Sequence, residues 1–124
     1  MGIVEVRSDN WEKEVLQSEK PVVVDFWHNM CSWCLRLNPV FEQLPERFGE
    51  KVKFAKFNVL QSIESQKLAL SQGILGTPTL KFYCNGRSIG ELVGYRPLDR
   101  LVKEIEEIIS EKDECLSQST SLKK

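Results

Sequence analysis

Two cysteines three residues apart, in WHNMCSWCLRLNP from Trp27 to Pro39, are the residues of this chain best placed to do chemistry. Cysteines at that spacing can form a redox couple, supply half of a metal site, or fill a core as two small apolar side chains. The residues before them narrow the choice. Val22-Val23-Val24-Asp25-Phe26-Trp27 is apolar apart from one acid, as expected of a strand covered on both faces. Cys31 and Cys34 come directly after it and open a helix, so they fall at the C-terminal edge of the strand, where α/β proteins place ligand sites. The unpaired N–H groups and macrodipole of a helix start stabilise negative charge. A thiolate at Cys31 is therefore expected to form below the free-cysteine value of about 8.5. Cys34 lies one turn on, close enough for the pair to close a disulfide. A closed zinc site needs four ligands, and the remaining soft donors, His28, Cys84 and Cys115, show no ligand spacing. No metal is expected.

Three neighbouring features bear on the pair. Asp25 is ionisable within an apolar run, so desolvation should raise its pKa and let it exchange a proton with Cys34 near neutral pH; the plainer reading is a structural buried acid. Trp33 is either an exposed hydrophobe without a role or an apolar rim that shields the pair and docks partners. His28 reads as a neutral neighbour, since a helix start needs no separate base.

The elements that must position these groups can be read around them. Ile3-Val4-Glu5-Val6 suits an edge strand, and Asp9-Asn10-Trp11-Glu12 resembles a capping box before a helix with Trp11 and Val15 one turn apart. After the cysteines, Leu37, Phe41, Leu44 and Phe48 repeat at helical spacing up to Gly49. Pro39 lies inside that helix and should kink it, and Pro45 either ends it early or begins a last turn. Residues 52–59 read as a strand, with Lys56 on the face of Val52 and Phe54, so its stem should be buried. Residues 62–71 read as a helix stopped at Gly73. Strands over 79–83 and 88–93 flank Asn85-Gly86, a strong hairpin signal. Pro97 opens a last helix with Leu98, Leu101, Val102, Ile105, Ile108 and Ile109 on one face. The order β-α-β-α-β-α-β-β-α predicts an α/β fold, a mixed central sheet of five strands with helices on both faces.

At 124 residues the chain is one domain, assigned to 1–110, followed by a polar, serine-rich tail over 111–124 that is expected to lack fixed structure. A net charge of −1 gives no reason to expect nucleic acid as a partner, and no apolar run is long enough to span a membrane. The N-terminus carries an acid at Glu5 and no apolar stretch of signal-peptide type. Four unevenly placed cysteines are too few for a secreted disulfide scaffold. A reducing, cytoplasmic setting is expected.

In VVVDFW, CSWC, the proline five residues after the second cysteine, AKFNV, GTPTLKF and the CNG turn, taken in that order, the chain resembles the thioredoxin family over roughly residues 3 to 110. The resemblance implies a thioredoxin fold and a protein-disulfide reductase working through a reversible Cys31–Cys34 disulfide. It makes Cys31 the attacking nucleophile, Cys34 the resolving cysteine, Asp25 the buried acid beneath them and Lys56 the cation beside Asp25. It makes Pro78 in Thr77-Pro78 a cis proline facing the disulfide, with Thr77, Gly94 and the rim residue Trp33 lining a groove for an extended substrate strand. No cofactor is implied on the protein itself. Electrons would come from a partner, a thioredoxin reductase or a related flavin or iron–sulfur reductase, and the other partners would be disulfide-containing proteins met by a monomer. The chain departs from the family's commonest pattern in bracketing Ser32-Trp33 instead of Gly-Pro, and in His28, Met30 and Leu35. The dipeptide affects the balance between thiolate and disulfide, so a disulfide oxidase or isomerase is the alternative within the same chemistry. A thioredoxin-fold binding module using its aromatic groove is the alternative from another class.

Overall fold

Strand β2 (Val22–Trp27) is the centre of the structure, a computed structural model that describes residues 2–111. It pairs in parallel with β3 (Lys53–Asn58), which pairs in parallel with β1 (Ile3–Val6). On its other side it runs antiparallel to β4 (Thr79–Cys84), which forms a hairpin with β5 (Arg87–Val93). The order β1-β3-β2-β4-β5 is the mixed five-stranded sheet expected from the chain order.

Alternation along β2 divides the core. Val22, Val24 and Phe26 point to one face, where they meet Trp11, Val15, Phe57, Ala69 and Tyr83. Val23 points to the other, against Leu37 and Phe41 of α1 (Ser32–Phe41) and Leu101 and Ile105 of α4 (Leu98–Glu111). Each large side chain fully buried in these layers contributes roughly 1.5–3 kcal/mol, so β2 is held from both faces and the residues just beyond it start from a fixed point. The apolar stripe read on the last helix is the stripe that packs: Leu98, Leu101, Val102, Ile105, Ile108 and Ile109 all lie in this second cluster. Helix α3 (Ile63–Ser71) covers the first face, with the Ser62 hydroxyl accepting from Ser65 N at 3.0 Å as its N-cap.

Two local expectations are corrected. The stretch at Asp9 forms no capping box: Asp9 pairs with Arg7, while Asn10 accepts from Arg7 N and donates to Glu5 O. The chain then makes a single π-helical turn, Glu12–Leu16, which still buries Trp11 and Val15. The helix after the cysteines is two helices, α1 and a short α2 (Leu44–Phe48) with Pro45 in its first turn. Pro39 cannot donate to Leu35 O and Pro45 has no N–H either, so the hydrogen-bond ladder is interrupted twice within a short stretch and the chain turns between the two segments. At the far end, α4 runs through Glu111, one residue past the expected edge of the ordered domain; the tail from 112 and Cys115 lie outside the described residues.

The Asn85-Gly86 turn has φ of 54° and 79°, the left-handed pair that a two-residue hairpin requires. A Cβ on Gly86 would also stand 3.2 Å from the Leu16 carbonyl oxygen. The Gly86→Ala protein should therefore lose about 1–2 kcal/mol in urea denaturation with an unchanged m-value.

Candidate redox site

Helix α1 begins at the redox pair. Cys31 is its N-cap, in extended backbone, and its sulfur accepts from Cys34 N at 3.1 Å. A sulfur thus takes the place that serine or aspartate usually fills at a helix start, and one orphan N–H is aimed at it. The two sulfurs are joined as a disulfide with Cα atoms 5.2 Å apart. The pair is asymmetric: Cys31 is partly exposed, whereas Cys34 is fully buried. Cys31 is thus the more accessible of the two. When the pair is reduced, the N–H geometry and the helix dipole favour negative charge on its sulfur.

Asp25 is also fully buried, and alternation along β2 turns it to the face that α1 covers. Neither carboxyl oxygen has a hydrogen-bond partner among the described residues. Burial pushes its pKa up to about 7, against a smaller lowering by the Lys56 charge. A group with that midpoint can take or give a proton near neutrality.

Lys56 of β3 is the register partner of Asp25 on β2. Its ammonium, expected beside the carboxylate, instead donates to Asn38 Oδ1 at 2.8 Å and lies 4.2 Å from the centre of the Trp27 ring. The cation is near enough to be felt at Asp25 but is hydrogen-bonded elsewhere.

The rim is aromatic. Trp33 is half exposed, stacks at a tilt on Tyr95 with ring centres 5.7 Å apart, and carries the Arg36 guanidinium 5.0 Å from its ring centre. Thr77-Pro78 is a cis peptide, as the resemblance implied, and Pro78 is buried. Gly94 has φ of 95° and donates to Pro78 O at 2.8 Å; nothing lies near its missing Cβ, so the backbone angle, not space, demands glycine. His28 accepts from Met30 N at Nδ1 and lines a groove of about 290 Å³ with Thr77, Leu60, Leu70, Ile74 and Leu75. Among the described residues no cluster of histidine, cysteine and carboxylate side chains could hold a metal ion, and no helix is long and apolar enough to cross a membrane.

Of the residues read from the sequence, Gly94 is hydrogen-bonded to Pro78, Trp33 stacks on the neighbouring Tyr95, Asp25 lies on the strand that leads to the cysteines, and Lys56 is engaged by Asn38. Sequence reading missed Asn38, Arg36 and Tyr95. Arg36 lies three helical positions beyond Trp33, a spacing that could have suggested the contact. The contacts of Asn38 and Tyr95 are made between separate elements.

A family model described as Thioredoxin matches residues 2–107. The chain is 36% identical over 105 residues to a thioredoxin of Chlorobaculum thiosulfatiphilum, covering 85% of this chain and 94% of the relative. It is 34% identical over 97 residues to a thioredoxin of Alicyclobacillus acidocaldarius, covering 78% and 90%. With an M-type chloroplastic thioredoxin of Pisum sativum it shares 33% identity over 104 residues, 84% of this chain and 59% of the relative.

Proposed function

The chain belongs to the thioredoxin family and is a thiol–disulfide oxidoreductase, and we propose that it acts as a reductant of protein disulfides with Cys31 as the nucleophile. The observation that carries the assignment of roles is the asymmetry of the pair: a partly exposed Cys31 at the helix N-cap, its sulfur accepting from Cys34 N, and a fully buried Cys34.

In the reduced protein the Cys31 thiolate attacks one sulfur of a substrate disulfide. A mixed disulfide forms, and the other substrate sulfur leaves as thiolate. Asp25, as carboxylate, takes the proton of Cys34, whose sulfur then attacks Cys31. The Cys31–Cys34 bond forms, the mixed disulfide breaks, and the second substrate thiolate departs. Two electrons have moved to the substrate. A partner reductase of flavin or iron–sulfur type restores the dithiol; the protein itself needs no cofactor for the exchange. The backbone at Thr77-Pro78, Gly94 and the Trp33 rim form the groove for an extended substrate segment. The need to regain the dithiol after every turnover supports a reducing, cytoplasmic setting and a role in electron transfer and redox homeostasis.

The test is to trap the intermediate. Cys34→Ser removes the resolving sulfur, so this protein, reduced and mixed with a disulfide-bonded substrate, should accumulate a covalent complex through Cys31 that dithiothreitol releases. Cys31→Ser should accumulate none. Trapping through Cys34 in the Cys31→Ser protein, or none in either, would overturn the assignment. Equilibration of the wild-type pair with glutathione checks direction: a midpoint well below the glutathione couple marks a reductant.

A further inference from the structure

Asn38 lies one turn beyond Cys34 on α1, half buried, and its side-chain oxygen accepts from Lys56 Nζ at 2.8 Å. The same ammonium is held 4.2 Å over the Trp27 ring. Lys56 is register partner to Asp25 on the neighbouring strand, yet both Asp25 oxygens lack a hydrogen-bond partner among the described residues. A buried carboxyl without a partner, next to a cation that is hydrogen-bonded to something else, calls for a reason, because pairing the two would offset the burial of both.

Among the described residues, the elements packed around Asp25 bring no other cation to it. Leu80 of β4 is its partner on the second side, and the α4 residues buried in this layer are Leu101 and Ile105. From α1, Leu37 and Phe41 are buried in this layer, and Asn38 reaches Lys56. Glu5, across β1 from Lys56, adds a charge to that row of the sheet, but it is exposed. Burial has the larger effect on the ionisation of Asp25, and the Lys56 ammonium is the one charge found to oppose it, so the placement of that ammonium is what can tune it.

We propose that Asn38 is a positioning residue for proton transfer: by engaging Lys56 it keeps Asp25 out of an ion pair, so that the carboxyl can both accept and return the proton of Cys34 during exchange. An ion-paired carboxylate would hold its charge and make a poor partner for a thiol. The inference deepens the proposed function and rests on its assignment of Asp25 to the Cys34 proton.

A double-mutant cycle read at Asp25 tests it. The side-chain carboxyl is followed by ¹³C NMR against pH in the oxidised wild type, Asn38→Ala, Lys56→Met and the double variant; alanine suits the helix at position 38, so these proteins should fold. Asn38→Ala frees the ammonium and should lower the Asp25 midpoint by about one pH unit or more. Lys56→Met should raise it, and adding Asn38→Ala to Lys56→Met should change nothing further. An unmoved midpoint in Asn38→Ala, or an equal fall in the Lys56→Met background, overturns the proposal, since a merely structural asparagine would not act through the lysine. Failure of the underlying reading shows separately: it would leave the pH profile of disulfide exchange in Asp25→Asn the same as in wild type, whatever the NMR midpoints do.

Discussion

The Cys31→Ser protein will reduce an aromatic disulfide such as dithionitrobenzoate no faster than a cysteine-free control, a loss of at least about 10³-fold against wild type at pH 7. Two observations set the size. Cys31 is partly exposed, and its sulfur is backed by a helix-start N–H, the contact from Cys34 N at 3.1 Å. Cys34 is fully buried, so it cannot take over the attack. Serine at position 31 can still cap the helix, because its hydroxyl accepts the same N–H. The variant should therefore fold with near-wild-type stability, which separates lost chemistry from lost structure. The measurement is the rate of thiolate release under reducing-partner turnover, with urea denaturation run in parallel. Substantial residual rate in Cys31→Ser would mean that some other group is the nucleophile.

The second large effect is on stability. Asp25→Asn should be more stable than wild type at pH 8, by up to about 4 kcal/mol, and the two should converge near pH 4. The sign comes from proton binding. An unfolded aspartate loses its proton near 3.8, whereas burial holds the folded carboxyl protonated until about 7, with Lys56 opposing weakly. Between those values the folded state binds the extra proton, so unfolding free energy falls as pH rises through the window and levels off above 7. The cost above that midpoint is that of a buried charge with no hydrogen-bond partner among the described residues. Asparagine cannot ionise, so its curve should lack this slope. Urea denaturation of the oxidised proteins at half-unit pH steps, from about 4 to about 8.5, measures it. Parallel curves for the two proteins would mean that Asp25 ionises normally and could not serve Cys34. A measured destabilisation of this kind would be the pattern expected where stability is given up at a functional site.

Likeness to known proteins decides between classes that residue types alone left open. A thioredoxin family match over residues 2–107 and thioredoxin relatives at 33–36% identity favour the oxidoreductase over a binding module with the same groove. They leave Ser32-Trp33 as the local departure. Trp33 now has a definite setting, between Tyr95 and Arg36, at the edge of the redox pair.

Much of this was legible in the chain because it depends on near neighbours. The spacing of Cys31 and Cys34, their place at a helix start and the apolar run of β2 are local patterns, and each is found where it was read. The Asn85-Gly86 turn and the stripe on α4 are local in the same sense. Periodicity could not show where the helix after the cysteines divides. Leu37, Phe41, Leu44 and Phe48 keep one spacing across α1 and α2, while the loss of two backbone donors at Pro39 and Pro45 breaks the ladder beneath that pattern. The capping box at Asp9 failed for a related reason: Arg7 offered both Asp9 and Asn10 closer partners than the helix start did.

By itself, then, the sequence determined the redox couple, the acid on the strand beneath it and the sheet that carries both, since side-chain periods of about 2 and about 3.6 and the φ demands of glycine and proline act within a few residues. Only the tertiary structure decided the electrostatics of the site. Lys56 and Asn38 are 18 residues apart on different elements, and whether the ammonium meets Asp25 or Asn38 is set by how α1 lies across β3. Trp33 and Tyr95 likewise meet only when α1 and the chain beyond β5 come together. Coulomb interactions and ring contacts depend on distance in space, and distance in space is what a linear pattern does not contain.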